Sequence, residues 1–110
     1  MKPVGKFFLV LVTAPDAKTA RRISHVALKA KLIACANIIP KIESHYWWQG
    51  KLENSAEVLI IMKTTRTKLA ALEKLVIAEH PYNPPEFLVV SLAGGNAKYL
   101  KWLADSVGTK

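Results

Sequence analysis

The chain has one cysteine, Cys35, among 110 residues. That excludes an internal disulfide and suits a reducing compartment. No Cys/His cluster has zinc-type spacing. Long apolar runs are also missing. The longest clear ones, Phe7 to Val12 and Val58 to Met62, fall far short of the ~20 residues that cross a bilayer. The first follows the basic stretch Met1 to Lys6 but ends before Thr13 and Pro15, too soon for a signal-peptide core, and no cleavage site follows. A cytoplasmic protein without a membrane partner is expected; a presequence removed beforehand would leave no trace. There is no readable nucleophile–base pair, no phosphate loop and no carboxylate pair at a catalytic spacing, so catalysis is not expected. Acidic residues are few: eight against sixteen Lys and Arg, for a net charge of +8.

What is present suits a globular chain, 51% hydrophobic with six prolines. The length predicts one domain over 1–110, with a core from about 7 to 103. Lys6 to Thr13 is a continuous apolar run of strand formers and predicts a central strand buried on both faces. Asp16 is a good helix N-cap. From Ala17 to about Lys31, Ala20, Ile23, Val26, Ala27 and Ala30 share one helical face. A second helix is predicted over about Lys68 to Glu79, capped by Thr65 or Thr67 and ended by His80-Pro81. After the connector Tyr82 to Pro85 come a strand over Glu86 to Leu92, a turn at Gly94-Gly95 and a short last helix capped by Asn96.

Between the two longer helices lie the most informative segments, Ala34 to Trp48 and Ala56 to Thr65, joined by a polar loop over Gln49 to Ser55. At ~3.4 Å per residue the first could reach about 50 Å. A compact domain of this length is roughly 34 Å across. The hairpin should therefore overhang its own core, with Tyr46, Trp47 and Trp48 near the tip. Alternation places Ala34, Ala36, Ile38, Ile42, Tyr46 and Trp48 on one face. Pro40 marks an edge, bulge or bend where the strand can change sheets. The element order is that of an α+β, ferredoxin-like split βαβ sandwich with a long β-hairpin and a short C-terminal helix. Its helices cover one face of an antiparallel sheet, yet the strands are apolar on both faces. Association with further copies is expected to cover the second.

The chain resembles the CutA-like divalent-cation tolerance proteins. The resemblance is carried by Thr13-Ala14-Pro15-Asp16, Ala34 to Pro40, Tyr46 to Glu53, Glu57-Val58, Lys63-Thr64, His80-Pro81-Tyr82, Pro85-Glu86, Gly95-Asn96 and Tyr99-Leu100 with Trp102. It implies a homotrimer whose hairpin packs on the neighbouring subunit, and a role in tolerance of copper and other divalent metals. It implies no agreed catalysis and no organic cofactor. Some bacterial members are credited with a copper site whose matching positions here are Val12, Glu79 and His80. Cu(II) or another divalent ion is the expected metal.

Individual residues keep two readings each. Cys35 is a packed thiol or a soft Cu(I) ligand. His80 is a helix C-terminal residue or, with Glu79, a metal ligand. His45 is a solvated strand residue or part of a metal site formed in the trimer. Glu57, Lys63, Tyr82 and Glu86 form a structural ion-pair cluster or an inter-subunit pocket for a small ligand, as in a trimeric sensor or scaffold. Tyr46, Trp47 and Trp48 are read as trimer-interface anchors, with a stacking platform for bases as the alternative. Lys18, Arg21, Arg22 and Lys29 share one helix face and could meet nucleic-acid phosphates. No aromatics interleave with them, so a solvated face is the preferred reading.

Overall fold

In the computed structural model, residues 2–3 and 5–108 are described. In chain order the elements are β1 (Lys2–Pro3), β2 (Phe7–Ala14), α1 (Ala17–Lys29), β3 (Cys35–Trp48) and β4 (Lys51–Thr65). A 3-10 turn (Arg66–Lys68) leads into α2 (Leu69–Glu79), and β5 (Leu88–Ser91), β6 (Gly94–Gly95) and α3 (Ala97–Ser106) complete the chain. The main sheet runs β3-β4-β2-β5, antiparallel throughout. Counting its strands in chain order, that is 2-3-1-4, the split βαβ arrangement expected from the sequence.

Register explains why one face of the sheet is the core. Val10 and Val12 of β2 lie beside Met62 and Ile60 of β4 on one face. There they meet Ala20, Ile23 and Ala27 of α1 and Leu72 and Val76 of α2, all fully buried. Small alanines let α1 approach the sheet closely. Truncating a buried leucine such as Leu72 to alanine costs about 2–5 kcal/mol in such settings. Asp16 caps α1 as expected, its Oδ1 accepting from the Thr19 amide at 2.7 Å. α1 stops at Lys29, before the expected Lys31. There the Lys31 amide donates to Leu28 O and the Leu32 amide to Ala27 O, with Lys31 left-handed at φ 61°. That pair of bonds closes a helix end.

The second face is only partly covered. α3, capped by Asn96 accepting from the Tyr99 amide at 3.0 Å, packs Leu100 and Leu103 on Phe7 at one end. Gly95 has no side chain because a Cβ there would meet Leu100 at 3.3 Å. Beyond α3, Leu9, Leu11, Ile39, Leu59, Ile61 and Val90 share the open face by register. Ile39 is 41% exposed and Val90 42%. β5 is shorter than the expected Glu86 to Leu92. The Gly94-Gly95 segment, read from the sequence as a turn, also pairs with β1.

The hairpin differs from expectation in two ways. Its tip is the two-residue turn Gln49-Gly50, both at positive φ (50° and 79°), rather than a loop reaching Ser55. Paired positive-φ residues match the right-handed twist of the strands, so pairing runs to Trp48↔Lys51. The polar residues Lys51 to Ser55 hid this extension. The second difference is a bulge between Ile39 and Ile42, where Lys41 takes φ 59° beside Pro40. The extra residue reverses the alternation. Ile42, Ser44, Tyr46 and Trp48 therefore lie on the open face with Glu57, not with Ala36 and Ile38. β3 stays paired with β4 on both sides of the bulge. The molecule measures 44 × 26 × 22 Å with a radius of gyration of 14.6 Å, against about 13 Å for a compact chain of this length.

Candidate functional site

Beneath the outer hairpin, on the open face, lies a cleft of about 830 Å³. One wall is the hairpin, with Glu43, Tyr46, Trp48 and Glu57; the other is the connector after α2, with Tyr82 and Glu86. The connector is irregular because prolines 81, 84 and 85 forbid helix, and the Asn83–Pro84 peptide is cis.

His80 fixes that connector. Its ring is buried, with Nδ1 accepting from the Tyr82 amide at 3.0 Å. Nε2 therefore carries the proton and donates to Thr13 O at 2.7 Å. Thr13 lies past the end of the β5 ladder, which stops at Leu88 opposite Leu11. His80 thus supplies a bond that no strand does there. Its ring also packs on Tyr82, with centroids 4.8 Å apart. So held, Tyr82 donates from its hydroxyl to Glu57 Oε2 at 2.9 Å. Burial, then the bond to Glu57, pushes the Tyr82 phenol well above its ordinary value. Burial, then the nearby Glu57, raises the Glu86 carboxyl.

Of the four residues read as a polar cluster, three converge here: Glu57, Tyr82 and Glu86. Lys63 stands apart. It is six residues from Glu57 along β4, about 20 Å in an extended strand. Its ammonium donates to Tyr99 OH at 3.2 Å, beside Cys35 across the β3–β4 ladder. The Tyr99 bond is the main cause raising its pKa.

The four metal candidates sit in three separate places. Glu79 approaches Arg22, Oε1 to Nε at 3.7 Å, and its backbone oxygen accepts from Arg22 Nη2 at 2.8 Å. His80 has both ring nitrogens engaged. His45 Nε2 lies 2.7 Å from Glu43 Oε2 on the hairpin, and Cys35 is half-buried on the open face. Among the described residues no three His, Cys, Asp or Glu side chains come together as a metal site. Within one subunit the candidates form adjacent pairs, Glu79 with His80 and Glu43 with His45, and no three-ligand set among the described residues. Trp47 is 73% exposed and Trp48 47%, with Tyr46 bonded through its hydroxyl to Ser55 Oγ at 3.1 Å. Thr13, whose carbonyl anchors His80, was missed from sequence; only its place in the Thr13-Ala14-Pro15-Asp16 motif signalled it.

The profile of the CutA1 divalent ion tolerance proteins matches residues 8–106. A divalent-cation tolerance protein CutA of Escherichia coli is 44% identical over 99 residues, covering 90% of this chain and 88% of that protein. A chloroplastic CutA 1 of rice is 45% identical over 89% of this chain. This chain spans 55% of that rice protein and 54% of its Arabidopsis counterpart. The crystal structure of CutA1 from Oryza sativa superposes with a TM-score of 0.91 at 42% identity, covering 96% of each chain. CutA1 from Shewanella sp. SIB1 gives 0.91 at 38%, covering 99% of this chain and 100% of that one.

Proposed function

This chain belongs to the CutA1 divalent ion tolerance family, and on that premise we propose that it is a cytoplasmic homotrimer serving copper and divalent-metal tolerance without catalysis. The observation that carries the assembly is the open sheet face. Apolar Leu9, Leu11, Leu59 and Ile61 are only half-buried there and Ile39 is exposed, next to a hairpin that projects Trp47 and Trp48. Exposed apolar surface of this kind marks association sites. Copper or another divalent ion is held weakly in this reading, through His80 with Glu79 or His45 with Glu43. Ligation by His80 would displace one of its two hydrogen bonds, which keeps affinity low. No organic cofactor is required.

Light scattering on the purified protein should return three subunits; a monomer at micromolar concentration refutes the assembly. Copper titration should weaken in His80→Ala and His45→Ala. Unchanged affinity in both removes these residues as ligands.

A second reading is favoured by the cleft between hairpin and connector. Its size and its aromatic and polar walls suit a small-molecule sensor or scaffold whose ligand lies at a subunit boundary. A thermal-shift screen of metabolites tests it, because a ligand of the folded state raises Tm. The absence of any stabiliser at millimolar concentration rejects it.

A further inference from the structure

Across the sheet from the open face, α1 presents a cationic ridge. At ~100° per residue Lys18, Arg22, His25 and Lys29 fall within about 60° of one another, and Arg21 lies about 40° further round. All five are exposed, opposite the buried Ala20, Ile23 and Ala27. At ~1.5 Å per residue the ridge from Lys18 to Lys29 is about 16 Å long. Lys31, also exposed, follows the helix end.

Little inside the molecule offsets these charges. Over 16–31 the sole acid is Asp16, whose Oδ1 accepts from the Thr19 amide at 2.7 Å. The Thr19 bonds, then nearby Arg22 and Lys18, hold its carboxyl below the usual range. One end of the ridge thus has a single counter-charge. Arg22 is held by Glu79, through the carboxylate at 3.7 Å and the backbone oxygen at 2.8 Å. Among the described residues Lys18, Arg21, Lys29 and Lys31 form no ion pair. Like charges three or four residues apart, such as Lys18 with Arg21 and Arg22, cost a helix stability. Lys18 also stands in a first turn that holds no acid, where the macrodipole disfavours a cation. Solvated helix faces gain from Glu–Lys pairs four apart, and α1 has none. The arrangement suits an anion from outside the chain.

The chemistry of the ridge selects the anion. Single strands are held by stacking on aromatics, and no Phe, Tyr or Trp occurs over 16–31. A bilayer takes up a helix through its apolar face, and that of α1 is buried in the core. An acidic protein contact needs aromatic or apolar anchors at its centre; the ridge offers charge alone. Duplex phosphates require nothing more. The missing aromatics, which favoured a solvated face from sequence, count against single strands and not against a duplex. We infer that the α1 ridge binds the phosphate backbone of double-stranded nucleic acid without reading its sequence. Because α1 packs on the core side of the sheet, assembly through the open face leaves the ridge in solvent.

The test follows fluorescence anisotropy of labelled random-sequence DNA and RNA duplexes titrated with the full chain as salt is varied. At least one duplex should bind with a Kd of about 10⁻⁴–10⁻⁶ M near physiological salt. Three or four phosphate contacts give a log–log salt slope of about −3, or about a sixtyfold loss of affinity from ~50 to ~200 mM salt. Lys18→Ala and Arg21→Ala should each bring that slope about one unit nearer zero. Lys98→Ala, exposed on α3, should leave it unchanged. No binding of either duplex at about 0.1 mM protein and ~50 mM salt overturns the inference. So does an unchanged slope in both Lys18→Ala and Arg21→Ala, or salt-independent binding. An equal effect of Lys98→Ala overturns it as well, because net charge and not the ridge then holds the duplex. Tighter binding to a single strand, to phosphatidylserine vesicles or to polyglutamate than to a duplex assigns the ridge to that partner and overturns it. The substituted positions are exposed, so circular dichroism and light scattering should match the unsubstituted chain; a changed oligomer places the ridge in a subunit contact and overturns the inference.

Discussion

His80→Phe should destabilise the protein by about 2–4 kcal/mol. Phenylalanine keeps a ring of similar size against Tyr82, so the 4.8 Å ring contact survives. What disappears is the pair of hydrogen bonds, to Thr13 O at 2.7 Å and from the Tyr82 amide at 3.0 Å. Each is worth ~0.5–1.5 kcal/mol net, and a backbone group stranded away from water costs ~1–3. Two stranded groups would cost about 2–6 kcal/mol if fully dry; the side chain between them is 8% exposed, so water reaches part of the gap and the lower part of that range, about 2–4 kcal/mol, applies. Against a total stability of about 5–15 kcal/mol this is a large loss. Urea unfolding at one fixed protein concentration is the assay, since oligomer stability depends on concentration. With a mid-range slope of ~2 kcal/mol/M the midpoint should fall by about 1–2 M. A change under ~0.5 kcal/mol would refute the clamp and free His80 for a ligand role.

Glu86→Gln should raise Tm at neutral pH. The folded-state pKa of Glu86 is raised, chiefly by burial. The folded protein therefore binds its proton more tightly than the unfolded chain, and stability falls as pH climbs from the ordinary value of 4.5 through the folded one. The advantage of Gln should shrink as pH drops below that window; an advantage that grows in acid contradicts the assignment. Ser24→Ala should stabilise by up to ~1 kcal/mol, because the buried Ser24 hydroxyl has no partner among the described residues and alanine is the better helix former. A thermal melt showing loss of stability instead would mean the hydroxyl has found a water. Ile61→Asp should abolish assembly while the isolated subunit keeps its circular dichroism, since Ile61 is on the open face and not among α1 and α2. Persistent oligomers by light scattering would send the interface elsewhere.

The sequence and the tertiary structure contributed differently. Local signals were strong where a single residue type has one physical use. Asp16 and Asn96 cap their helices because short acceptors satisfy free amides. Pro40 sits at the bulge because it cannot join a ladder, and His80-Pro81 ends α2 as the pre-proline restriction demands. Apolar runs on both strand faces foretold a sheet whose helices cover only one of them. The sequence by itself thus determined the element order, the long hairpin and the open apolar face.

Only the tertiary structure decided which polar residues meet. Lys63 looked like a partner for Glu57, but strand geometry separates them and gives Lys63 to Tyr99. Alternation placed Tyr46 and Trp48 with the core-facing residues; one extra residue at the bulge turned them to the opposite face, beside Glu57. His80 read as a ligand or a dipole partner. It is a crosslink between a strand end and a connector 67 residues apart in sequence. Such pairings depend on strand register and on where the connector returns. They arise between segments distant in the chain, where local periodicity carries no information.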